Sequence, residues 1–217
     1  MLLVMFSPRA QAQTYQTWPE IDTYIHLTQH SRLYFIATQT KENGRGTDAE
    51  IGPNLDFFLK PLLKAKKAIF QLDQSKTSLL LVRVGYRYLP STSAPTEHRG
   101  VLEATGRYPL KSGFLISDRN RADFRFILGE FSWRYRNRST VEKTVSIFNY
   151  HFTPYARAEV YFDSNYSKWS RTAEDFGSAF PIRKHTEIET YYEHQNDTSK
   201  PPNRQINALG LSLNLYL

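Results

Sequence analysis

The chain alternates. In its last segment Leu209, Leu211, Leu213, Leu215 and Leu217 fall on one side of an extended strand, and Ala208, Gly210, Ser212, Asn214 and Tyr216 on the other. A period of two marks a β-strand with two chemically distinct faces. The same period recurs upstream, with charges on the second face. Leu80, Val82, Val84, Tyr86 and Tyr88 oppose Arg83 and Arg87, and Leu102, Ala104 and Tyr108 oppose Arg99, Glu103 and Arg107. Trp133, Tyr135, Val141 and Val145 oppose Arg134, Arg136, Arg138 and Glu142; Ala156, Ala158, Val160 and Phe162 oppose Arg157, Glu159 and Asp163. Turn chemistry at 29–31, 43–46, 90–95, 111–113 and 200–203 separates these runs. The pattern predicts strands at 18–28, 32–41, 49–62, 67–73, 78–89, 99–110, 114–127, 131–146, 155–164, 168–180, 186–194 and 205–217. That makes about twelve, with ten as the fallback, because an even count follows when both chain ends lie on the same side of a barrel. The stretch 60–67, KPLLKAKK, reads as a solvated basic loop or a short amphipathic helix meeting anionic headgroups.

Periodicity alone allows two arrangements. A soluble sandwich would place the aliphatic faces inside and the Arg–Glu faces in water; a transmembrane barrel would turn both around. Three features favour the barrel. Aromatic residues gather toward segment ends (Tyr86, Tyr88, Tyr108, Trp133, Tyr135), like the girdles at membrane interfaces. The strands are near ten residues or longer, enough for a tilted crossing of the hydrocarbon layer. The chain closes on an alternating leucine strand with Tyr216 penultimate, the form in which a C-terminal strand addresses the barrel-assembly machinery. The expected fold class is therefore all-β: a single antiparallel up-and-down transmembrane β-barrel over 13–217, with outer-membrane lipid around it.

The 217 residues contain no cysteine, which removes disulfides, thiolate metal sites and a cysteine nucleophile. Met1 to Phe6 is apolar and Ala10-Gln11-Ala12 has the small-x-small form of a signal-peptidase site, so 1–12 is expected to be the remnant of an export leader. No run of about 18 apolar residues is present to form a transmembrane helix. Export without such a helix points to periplasm, outer membrane or medium.

The runs SDRNRADFRF (Ser117 to Phe126), WRYRNR (Trp133 to Arg138), PYARAEVYFD (Pro154 to Asp163) and NALGLSLNLYL (Asn207 to Leu217), with LVRVGYRYL (Leu81 to Leu89) and YYEHQND (Tyr191 to Asp197), carry a resemblance. Together they resemble an uncharacterised family of bacterial proteins, a domain of unknown function whose members look like signal-bearing outer-membrane barrels. The resemblance covers nearly the whole chain after the leader and implies the fold and location, with no assigned activity. Members usually end in Phe; here the last residue is Leu217.

Formal charge is +7, and in a barrel the ionic faces would meet across the lumen. The expected lumen residues are Arg83, Arg87, Arg99, Glu103 and Arg107, then Arg119, Arg121, Asp123 and Arg125, then Arg134, Arg136 and Arg138, and lastly Arg157, Glu159, Glu187 and Glu189. They admit two readings. One is a track for small anionic solutes, since guanidinium binds carboxylate and phosphate bidentately. The other is an ion-paired filling of a narrow, non-conducting structural or assembly barrel. An outer-membrane lipid hydrolase is the enzymatic competitor, with His98 and His194 the histidines to test, although neither sits in a serine–histidine motif. No metal-ligand spacing, phosphate loop or dinucleotide fingerprint is present, so no cofactor is expected. Arginines that alternate with apolar residues form no single basic patch, and nucleic acid is not an expected partner.

Overall fold

The computed structural model describes residues 12–61 and 72–217. In chain order the strands are β1 (Ala12–Thr28), β2 (Ser31–Glu42), β3 (Arg45–Pro61), β4 (Ser78–Leu89), β5 (Glu97–Pro109), β6 (Phe114–Ile127), β7 (Glu130–Lys143), β8 (Val145–Ile147), β9 (Tyr150–Asp163), β10 (Lys168–Arg183), β11 (Thr186–Asp197) and β12 (Arg204–Tyr216). Sequence neighbours pair antiparallel, as an up-and-down topology requires. Tight turns make this possible. Asn43-Gly44 and Leu128-Gly129 are two-residue connections with positive φ at both positions, the backbone whose twist matches that of the strands it joins.

The short β8 continues β7: Glu142 pairs with Tyr155 and Val145 with Phe152 on one unbroken register. Among the described residues the ring therefore has eleven staves. It closes through β1 and β12, which run parallel from Ala12 beside Arg204 to Tyr24 beside Tyr216. The all-β up-and-down barrel of about twelve strands expected from the alternation is what is found, with β8 extending β7 so that among the described residues eleven staves form the ring. An odd number of staves alternating in direction leaves its first and last members pointing the same way, so the closing pair has to be parallel. The strand expected over 67–73 lies outside the described residues except for Leu72 and Asp73, which lead into a single 3-10 turn, Gln74–Thr77. The basic stretch 60–67 is described only at Lys60 and Pro61, the end of β3. The leader expected over 1–12 is described only at Ala12.

Side chains are distributed inside out relative to a soluble sandwich. Leu209 and Leu211 are 61% and 54% exposed, and Ile51, Val84, Leu102, Trp133 and Phe176 also face outward. Asp56, Asp123, Arg87 and Arg32 are buried, at 2% exposure or less. A polar patch interrupts the apolar exterior: Asp118 accepts from Asn120 along β6 (2.6 Å) and from Asn137 across β6–β7 (3.1 Å). Rings collect toward the start of β10, where Phe162 lies 5.4 Å from Trp133 and 5.7 Å from Trp169. Inside, Tyr24 stacks between Tyr34 and Tyr216 at 4.8 and 5.0 Å, next to the β1–β12 closure.

Candidate functional site: the lumen

The staves enclose a cavity of about 620 Å³. Of the residues expected to face it, Arg83, Arg87, Arg99, Glu103, Arg107, Arg119, Arg121, Arg134, Arg136, Arg138, Arg157, Glu187 and Glu189 line its wall. Asp123 and Glu159 lie behind that lining as buried counter-ions, and Arg125 sits toward the mouth with Arg134 and Asp163, around a smaller recess.

Strand alternation puts these groups on one face, and register then decides the pairs. Arg119 stands beside Arg138 and Arg121 beside Arg136, giving four guanidiniums in two adjacent rows on β6–β7. Glu159 on β9 is their hub. It accepts from Arg119 Nη2 (2.7 Å), Arg136 Nε (2.8 Å), Arg138 Nη2 (2.6 Å) and the Tyr161 hydroxyl (3.0 Å). Asp123 accepts from Arg121 Nε at 2.6 Å. Asp163 bridges Arg125 and Arg134 at 3.1 and 2.9 Å, and Glu97 joins Arg99 to Arg125, both at 2.7 Å. On the other flank Asp56 accepts from Arg32 and Arg83, and Glu50 from Arg87 and Arg99. Arginine faces also rest on rings, with Arg136 4.6 Å above Tyr161 and Arg83 4.1 Å above Tyr34. Charges buried this deeply persist because each has partners; removing one partner strands the rest.

Several lumen residues escaped the sequence reading. Arg32, Glu50 and Asp56 sit on strands whose alternation was legible, so their period-two positions could have flagged them. The segment before β4 could not be anticipated. Arg32 opens β2, whereas Arg107 and Glu142 lie near the ends of β5 and β7, so all three stand at the end of the barrel where β12 finishes. The 3-10 turn is tied across that end. Arg32 Nη1 donates to Asp73 (2.8 Å), Arg107 Nη1 to the Ser75 carbonyl (3.0 Å) and Lys76 Nζ to Glu142 (3.0 Å). Burial alone would raise the Asp73 carboxyl, but the Arg32 guanidinium, helped by Lys76 and Arg107, outweighs it and holds the group below the ordinary carboxylate range. Burial likewise works against the Lys76 ammonium, and Glu142 with Asp73 overcomes it, raising that group above the ordinary lysine value.

The two histidines considered for hydrolysis, His98 and His194, stand on the barrel exterior. His98 Nδ1 meets the Tyr86 hydroxyl at 2.5 Å and His194 Nδ1 meets Asn207 Oδ1 at 2.9 Å. Ser146 Oγ lies 2.7 Å from His151 Nδ1 in the exposed β8–β9 hairpin. No His/Asp/Glu cluster among the described residues has the grouping of a metal site.

No curated protein matches the chain. Among solved structures it is similar to NanC porin, with 13% identity, a TM-score of 0.53, and coverage of 90% of this chain and 91% of that one. At that identity the likeness is one of fold, a porin-like β-barrel. Residues 71–206, from the turn across the lumen through β12's first residues, match the family described as "Protein of unknown function (DUF2490)". With more than half of its length inside that match, the chain belongs to the DUF2490 family.

Proposed function

We propose that the protein is an outer-membrane β-barrel whose narrow lumen passes small solutes carrying negative charge. The apolar exterior supports the location, because only lipid covers such a belt without cost. Outer-membrane lipid is then its immediate partner, and the leucine face of β12 is the segment offered to the assembly machinery. The observation that carries the transport reading is the arrangement on β6–β7. Four guanidiniums line the cavity there in adjacent rows; Glu159 and Asp123 bind them from behind, and Glu103 and Glu50, 3.9 Å from Arg119 and Arg121, are shared with Arg83, Arg87 and Arg99. A wall with that excess attracts anions and offers them bidentate donors.

Planar-bilayer recording tests this. Purified protein should give unitary currents whose reversal potential in a salt gradient favours anions, and Arg136→Ala or Arg138→Ala should move that potential toward zero. Absence of channel events, or a cation preference indifferent to both substitutions, refutes it. A second reading, a non-conducting ion-paired barrel, is favoured by the turn latched across one end; silence in the same recordings with a folded protein is its expected outcome.

A further inference from the structure

Register also reveals what stands opposite the arginine wall. One row of cross-strand neighbours leads from Arg119 through Arg138, Glu159, Ala173, Gln195 and Ile206 to Thr14 on β1. In the other direction it passes Thr105, Leu81 and Phe58 and reaches the β1–β2 turn at His30, beside Thr28. Staves of a barrel tilt, so a row changes level as it goes round. The level of Arg119 on β1 therefore falls midway between Thr14 and Thr28, at Ile21. The inward side chains on either side of Ile21 are Glu20 and Asp22, and both line the cavity. Glu20 shares its row with Ser212 and Glu189, and Asp22 shares its row with Asn214 and Glu187. In a ring of eleven, β12 and β1 are five to six staves from β6 and β7, which is diametrically across.

Two charged patches thus face each other at one level. On the acidic side, Glu20, Asp22 and Glu187 have no ion pair among the described residues. Neutral donors hold them: Thr38 Oγ1 on Glu20 (2.6 Å), Tyr34 and Tyr24 hydroxyls on Asp22 (3.0 and 3.2 Å), and Asn214 Nδ2 on Glu187 (3.2 Å). On the basic side, Arg121 is 7% exposed, yet its Nη2 has no hydrogen-bond partner, and neither has Arg119 Nε. Arg121 Nη2 has only the Glu50 carboxylate 3.9 Å away, so donor capacity remains on one wall and carboxylates without a cation on the other, with the cavity between them.

We propose that this constriction selects small zwitterions, solutes with a carboxylate, phosphonate or sulfonate at one end and a protonated amine at the other. The anion lies on the Arg119–Arg121–Arg136–Arg138 wall and the ammonium on the Glu20–Asp22–Glu187 wall. The inference rests on the lumen being a solute path and narrows the solute class. A simple anion gains one wall and is repelled by the other; a zwitterion gains both.

The probes are γ-aminobutyrate, butyrate and butylammonium, matched in length, with binding to the folded barrel in detergent followed by saturation-transfer NMR and current block followed in planar bilayers. γ-Aminobutyrate should bind about tenfold more tightly than either singly charged analogue, equivalent to ~1.4 kcal/mol. Combining Glu20→Gln with Asp22→Asn should erase that advantage and tighten butyrate binding, with Glu20→Gln alone showing part of the effect should the double variant not fold. Equal binding of butyrate and γ-aminobutyrate, or a preference that survives both substitutions, overturns the inference. Anion-selective currents without a zwitterion preference sink this inference alone; folded protein with neither currents nor binding sinks the transport reading as well.

Discussion

Glu159→Gln is the sharpest test of how the interior is held. The carboxylate is 2% exposed and accepts from three guanidiniums that are themselves largely buried. The amide is isosteric, so the change removes charge and leaves volume. At an effective dielectric of ~20, each contact near 4 Å is worth ~4 kcal/mol, and three would sum to ~12. That sum ignores the mutual repulsion of the arginines and the rearrangement they undergo once released. Breaking a buried pair by removing one member costs ~3–5 kcal/mol in practice, and a loss of ~4 kcal/mol is expected here. With a urea slope of ~2 kcal/mol per molar, the unfolding midpoint in lipid vesicles should fall by ~2 M, read by heat-modifiable gel mobility and tryptophan fluorescence. Glu42→Gln is the contrast: its partner Arg204 is 42% exposed, and such pairs contribute ~0–1 kcal/mol. Should Glu159→Gln shift stability no more than Glu42→Gln does, lumen water rather than pairing is stabilising the arginines, and the hub assignment fails. Channels formed by the Gln variant should also be more anion-selective, because three guanidiniums have lost their counter-charge.

Four further outcomes follow from the geometry. Asp73→Asn should release the turn across the lumen and raise conductance, whereas unchanged currents would show that this contact closes nothing. Because the Asp73 carboxyl is held below its ordinary value, its contribution is complete above about pH 4 and is lost as pH falls from there through the lowered folded value; conductance should stay flat from neutral to about pH 5 and rise only in stronger acid, and a step between pH 5 and 7 would contradict the assignment. Leu211→Arg, on the outward leucine face, should cost ~2–4 kcal/mol in lipid vesicles, and a neutral result would mean that lipid does not cover that face. Gly52→Ala should block folding, since a Cβ there would meet the Tyr86 carbonyl oxygen at 1.9 Å; wild-type heat-modifiable mobility would refute that.

Alternation was sufficient to assign faces to the staves. Leu209 and Leu211 on one face, Ser212 and Asn214 on the other, and Arg134, Arg136 and Arg138 together follow from a period of two, because adjacent side chains on a strand cannot share a face; the aromatic segment ends and strand lengths then turn the apolar face outward. Residue type along one strand says nothing, however, about which rows on neighbouring strands become level. That is why Asp123 and Glu159 read as lumen charges, yet their place behind the lining did not. It is also why Glu20 and Asp22, unremarkable on their own strand, came to stand across from the arginines. The strand expected at 67–73 lies mostly outside the described residues; its described end, with the turn Gln74–Thr77, is held across the lumen by ion pairs from Asp73 and Lys76 to other staves.

The sequence by itself determined an all-β barrel, an apolar outside and an ionic inside, since periodicity separates the two faces and the aromatic segment ends, strand lengths and closing leucine strand turn the apolar one toward lipid. Only the tertiary structure decided the eleven-stave ring, the parallel closure of β1 on β12, the latched turn and the opposition of acidic to basic walls. Those depend on tilt and register summed around a closed circle, a constraint that no single strand carries.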